Sequence, residues 1–248
     1  MPKIEDILSQ RSDLSTFLVH LTKDSATKDG MAMPAVEALK RILQSGEVQA
    51  RNSFGHAVSK LRAAKMSLIS QRCVCLTETP LVHLRLLLGE IEGRKVPLKP
   101  YGIALPKKIG RLSGINPVWY LNMTPGAKGG WLSEPWNKLI DEAIANHTTV
   151  PFDQSSIAKL TPFIEQMGTW SATSRKEFWW EREWRKLGKL ELPQRFIVIA
   201  PEKVHGSLRT YIDGQGKYSP NMPLIDANWS LEQIIGGLAG FAPPDLGL

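Results

Sequence analysis

Cysteine is nearly absent: of 248 residues only two are cysteines, Cys73 and Cys75, two apart in RCVCLTE. On a strand they point to the same side and are poorly placed for a disulfide with each other. No second pair is present to complete a zinc site. They read as buried free thiols in a reducing cytoplasm, which excludes a secreted disulfide scaffold. Long apolar runs are also missing. A membrane helix needs ~20 apolar residues, and the best stretch, PLVHLRLLLGEI, is broken by His83, Arg85 and Glu90. The opening MPKIEDILSQRSD is charged throughout and lacks the apolar segment of a secretory signal. The expectation is a cytoplasmic protein with no membrane contact. There is no P-loop, no GxGxxG and no GxSxG nucleophile elbow. The histidines (His20, His56, His83, His147 and His205) are scattered without metal-ligand spacing, so no metal site is expected. Repeats and low-complexity tracts are absent too.

What is present is ordinary globular composition with a basic tilt. Apolar residues make up 42% and charged residues 22%, enough to bury a real core in one domain covering residues 1–248. Lys and Arg number 31 against 24 Asp and Glu, a formal charge of +7. That surplus favours a polyanionic partner such as nucleic acid, although many soluble enzymes carry as much.

Periodicity supplies the elements. Phe17, Val19 and Leu21 alternate with Leu18, His20 and Thr22 in STFLVHLT, a strand pattern that places His20 and Thr22 on one face. PAVEALKRILQSG reads as a helix with Pro34 in its first turn, Val36, Leu39 and Leu43 as its stripe and Gly46 as its stop. RCVCLTETP reads as a buried strand entering a helix with Thr79 as N-cap, and YGIALP, PVWYL and RFIVIAP as further strands. WNKLIDEAIANH and SIAKLTPFIEQM are expected helices, within a mostly helical insertion over about residues 123–176. SLEQIIGGL begins with a capping-box pattern, Ser230 to Gln233. Strands separated by helices without a regular rhythm point to a single α+β domain.

The densest stretch is EFWWEREWR, residues 177–185. Its aromatics and the following Gly188 favour a strand over a helix. Extended, Glu181, Glu183 and Arg185 face one way, and two carboxylates at i and i+2 can position hydroxyls and stabilise positive charge on a sugar carbon. Alternatively the glutamates pair with Arg182, Arg185 or Arg175 at a sheet rim. His20 and Thr22 can offer a donor and an acceptor to a ligand, or His20 is a satisfied core histidine. Arg51 in QARNS can hold a phosphate through a bidentate contact, or is a surface charge. Tyr101 can stack on a ring or fill a core gap. The basic run HAVSKLRAAK suits a phosphate backbone and a solvated amphipathic helix equally well.

In order, FLVHLT, ALKRILQSGEVQAR, CLTETPLVHL, YGIALPKKIGRLSGINPVWY and EFWWEREWR resemble the AbiGi family of abortive-infection, phage-resistance proteins over roughly residues 16–200. The opening H-x-T, helix, Gly, strand unit also resembles the start of the ADP-ribosyltransferase superfamily, including DarT-like and CmdT-like toxins. That second resemblance implies a split, mixed β-sheet clamping NAD as substrate. His20 would hold an NAD ribose with Thr22 in support, Tyr101 would lie near the nicotinamide, and Arg51 would touch the pyrophosphate. Glu183, or Glu181, would be the catalytic glutamate. The implied function is a toxin transferring ADP-ribose to a macromolecule, nucleic acid by the charge balance, with a cognate antitoxin as partner. A non-catalytic antitoxin and an NAD glycohydrolase are the alternatives.

Overall fold

The architecture is that of a computed structural model, which describes residues 11–26, 29–92, 94, 97–126, 130–169, 171 and 175–241. Along them run strands β1 (Phe17–Leu21), β2 (Ser25–Ala26), β3 (Ala32–Met33), β4 (Glu47–Val48), β5 (Asn52–Ser53), β6 (Arg72–Thr77), β7 (Gly102–Pro106) and β8 (Asn116–Pro117). They continue with β9 (Trp119–Asn122), β10 (Ile164–Thr169), β11 (Arg175–Lys176), β12 (Glu183–Leu187), β13 (Leu190–Glu191), β14 (Ile197–Ile199) and β15 (Leu224–Ile225). The helices are α1 (Ala35–Ser45), α2 (Val58–Ala63), α3 (Lys107–Leu112), α4 (Gly130–Ala145), α5 (Ser156–Leu160), α6 (His205–Asp213) and α7 (Leu231–Ala239). The fold is α+β with mixed strand pairing. Its contacts gather into two compact units, one of Met1–Val48, Leu76–Ser113 and Glu191–Leu248, the other of Gln49–Cys75 and Gly114–Leu190.

In the first unit the strand order is β15-β14-β7-β1, with the last residue of β6 on β1 through Val19 and Thr77. β1 and β7 run antiparallel from Phe17–Pro106 to Leu21–Gly102, while β14 is antiparallel to β7 and parallel to β15. Alternation in β1 sends Val19 and Leu21 to a core shared with Ala104, Ile197, Ile199, Trp229 and Ile234. Leu18, on the opposite face, is buried as well. Each such aliphatic contributes about 1.5–3 kcal/mol relative to exposure. Gly102 is required by backbone proximity: a Cβ there would stand 2.2 Å from the His20 carbonyl oxygen.

Leu39 and Leu43, one turn apart, form the fully buried stripe of α1, with Val36 only half-buried. Gly46 ends the helix in the left-handed region, its N–H donating to the Ile42 carbonyl. Pro34 stands at the N-cap instead of in the first turn, and Asp24 Oδ1 accepts the Ala35 N–H at 2.9 Å. After β6 the expected α-helix is a 3-10 helix, Leu81–Leu87, capped at Pro80 instead of Thr79. Three residues per turn put Leu84 and Leu87 on one ridge, and both enter the core.

In the second unit β5 pairs antiparallel with the start of β6, followed by β12 and then β8. A separate sheet joins β9 and β10 in parallel and β11 to β10 antiparallel. Its apolar cluster is smaller: Ala57, Leu61, Ile140, Phe152 and Ala158. Residues 123–176 do supply α4 and α5, but also β10 and β11. SIAKLTPFIEQM is not one helix. Pro162 cannot continue α5, so the chain passes through a 3-10 turn and Ile164–Thr169 becomes a strand. EFWWEREWR is likewise divided. Phe178–Glu181 is a 3-10 turn, Arg182 takes the left-handed conformation at φ 47°, and the strand begins only at Glu183.

Candidate functional site

The residues singled out by sequence fall in both units. His20, Thr22 and Tyr101 belong to the first, Arg51, Glu181 and Glu183 to the second. His20 is a half-buried member of β1 opposite Ile103. Thr22 is just beyond the strand, buried and held by the backbone: its N–H donates to the Tyr101 carbonyl at 2.7 Å. Its hydroxyl lies 3.0 Å from the carbonyls of both Ala35 and Tyr101. Thr22 thus ties β1, the start of α1 and the entry to β7 together, and its contact with Tyr101 runs through the Tyr101 backbone.

Arg51 is exposed one residue before β5. Glu181 and Glu183 do not share a strand face, because the left-handed Arg182 turns the chain between them. On β12 it is Glu183 and Arg185 that share a face, by the two-residue alternation of a strand. The Arg185 guanidinium, 1% exposed, is the centre of the arrangement. Its Nε donates to Glu183 Oε1 at 2.9 Å and one terminal nitrogen to Glu183 Oε2 at 2.8 Å. That nitrogen also donates to Glu165 Oε2 at 2.7 Å, and the other to the Pro162 carbonyl at 2.5 Å. The Phe54 ring lies 5.0 Å from the guanidinium carbon. Lys176 extends the chain of charges, Nζ to Glu165 Oε1 at 2.6 Å.

A buried charge is stable only when paired on all sides, and this one is. Burial alone would lower the Arg185 pKa, but the facing carboxylates of Glu183 and Glu165 outweigh it and raise it above its ordinary value. Burial likewise opposes ionisation of Glu165, yet Arg185 and Lys176 hold its carboxyl below the usual range. Three neutral groups surround the pair. Burial pushes the Cys73 thiol up to about 12. Cys75 is raised by burial and then by the Glu183 charge and a hydrogen bond to it. Tyr120 is raised by burial and by Glu183, and its hydroxyl donates to the Phe178 carbonyl at 3.4 Å. Both cysteines are free thiols, Cys73 buried and Cys75 half-buried, and protonated ones, neither a nucleophile nor a metal ligand as they stand. Among the described residues no group of three His, Cys, Asp or Glu is placed to hold a metal ion.

The tryptophans of this stretch differ in exposure. Trp179 is 54% and Trp180 41% exposed, and Trp184 is half-buried. The sequence did not single out Glu165 or Tyr120. Glu165 lies in the stretch read as helix, and only recognising Pro162 as a break would have brought it to a strand beside Arg185.

A family model described as "Putative abortive phage resistance protein AbiGi, antitoxin" matches residues 48–211. The chain belongs to the AbiGi family. The AbiGi match contains the whole residue range of the second unit, and with it Arg51, Glu165, Glu181, Glu183 and Arg185, as well as Tyr101. His20 and Thr22 lie outside it. No curated protein matches the chain, and no solved structure does. No helix among the described residues is long and apolar enough to cross a membrane.

Proposed function

We propose that the protein is a non-catalytic neutralising component of an abortive-infection system, acting by binding a partner protein. The observation that carries this reading is the closed state of Glu183: both oxygens of its carboxylate accept from a buried Arg185. A glutamate so engaged is an anchor of the fold, and holding a ribose hydroxyl would mean giving up one of those bonds. Support comes from the family's description as an antitoxin. The exposed Trp179 and Trp180 add to it, since tryptophan is enriched at the energetic centres of protein interfaces.

A second reading is favoured by one observation: the Glu183 side chain keeps 20% exposure, with Tyr120 beside it. In that reading the fold is of the ADP-ribosyltransferase type and NAD is the substrate. Glu183 or Glu181 stabilises the ribosyl cation as nicotinamide leaves, and Arg51, in the same unit, attends the pyrophosphate. The ADP-ribose then passes to an acceptor on nucleic acid, or to water in a glycohydrolase.

Expression in a host, alone and beside a toxic neighbouring gene, separates the two. Neutralisation predicts unimpaired growth alone, rescue of the poisoned host, and rescue lost in the Trp179→Ala/Trp180→Ala double variant. Growth arrest by the protein alone, relieved by Glu183→Gln and accompanied by transfer of label from adenylate-labelled NAD, overturns the proposal in favour of the transferase.

A further inference from the structure

We draw no further inference here: the strongest candidate, the apolar outer face of α7, on which Leu231 and Ile235 are each 57% exposed beside a 56% exposed Phe241, carries nothing, because nothing in the structure shows what covers it.

Discussion

The two units are stabilised by different means. The first is a sheet whose inner strands bury aliphatics, with Val19, Ala104, Ile197 and Ile199 meeting Trp229 and Ile234. The second has a smaller apolar cluster and is centred on a buried guanidinium with four bonds, three to half-buried carboxylates and one to a backbone carbonyl. Seven of the chain's eight tryptophans lie in the second unit's ranges; Trp229 is the exception. An apolar core tolerates replacements of similar volume, whereas a buried ion pair stays stable only while each member is present. The contrast teaches where substitution is least tolerated: the AbiGi match takes in all of the unit whose stability depends on such a pair.

Removing the guanidinium gives the largest effect. Arg185→Met leaves the half-buried carboxylates of Glu183 and Glu165 without their main partner, which should cost up to about 3–5 kcal/mol. Denaturant unfolding followed by tryptophan emission reports chiefly on the second unit, for the reason of placement just given. Hydrogen exchange should show β10 and β12 losing protection while β1 and β7 keep theirs. Equal loss in both units would break the comparison and make the chain one cooperative block.

Acid should discriminate next. His56 is buried, its Nε2 3.2 Å from Asn137 Oδ1 and its Nδ1 3.0 Å from Gln166 Nε2. A neutral ring that donates to the first and accepts from the second satisfies both. Burial, joined by the Lys60 charge, lowers its pKa against the smaller opposing effects of Asn137 and Glu165. The folded value lies below the unfolded one, near 6.5, so the unfolded chain takes up the proton first. The contribution to stability is therefore complete above about pH 6.5 and is lost as pH falls through the folded value. Glu165, also depressed, gives way only at lower pH, below its ordinary 4.5. Tryptophan-detected melting should drop by several degrees between about pH 7.5 and 5. In His56→Gln that dependence should flatten, whatever the variant's starting stability. An identical drop with and without His56 would sink the assignment.

Legibility in the sequence followed the same division. Of the first unit's elements β1, β7, β14 and α1 showed in their apolar patterns and in the Gly46 stop, because an apolar core imposes its pattern on the residues that build it, whereas the two-residue β2, β3 and β15 did not show. The second unit was read less well. The pairing of Glu183 with Arg185 was among the alternatives open at the start, but Glu165, twenty residues earlier, had no local sign of its role. Nor could the pattern show Arg182 in the left-handed region, which separates Glu181 from the strand. Long-range ion pairs and single turned residues leave no period behind them.

The smallest effect should come from the first unit's most legible feature. Ser230 caps α7 reciprocally: its hydroxyl accepts the Gln233 N–H at 3.3 Å, and Gln233 Oε1 accepts the Ser230 N–H at 2.9 Å. Ser230→Ala removes the first of these bonds and leaves one N–H of the first turn to water, a loss of about 1 kcal/mol. The rest of α7 is held independently. Ile234 is buried in the core, and Gly237 lies so near the Trp229 ring that a Cβ would stand 2.7 Å from it. The variant should therefore fray only the first turn, seen as faster hydrogen exchange at Gln233 and Ile234. Protection in β14 and throughout the second unit should be unchanged. A loss that spread into β14 would mean that the cap, and not the apolar packing, holds α7 to the sheet.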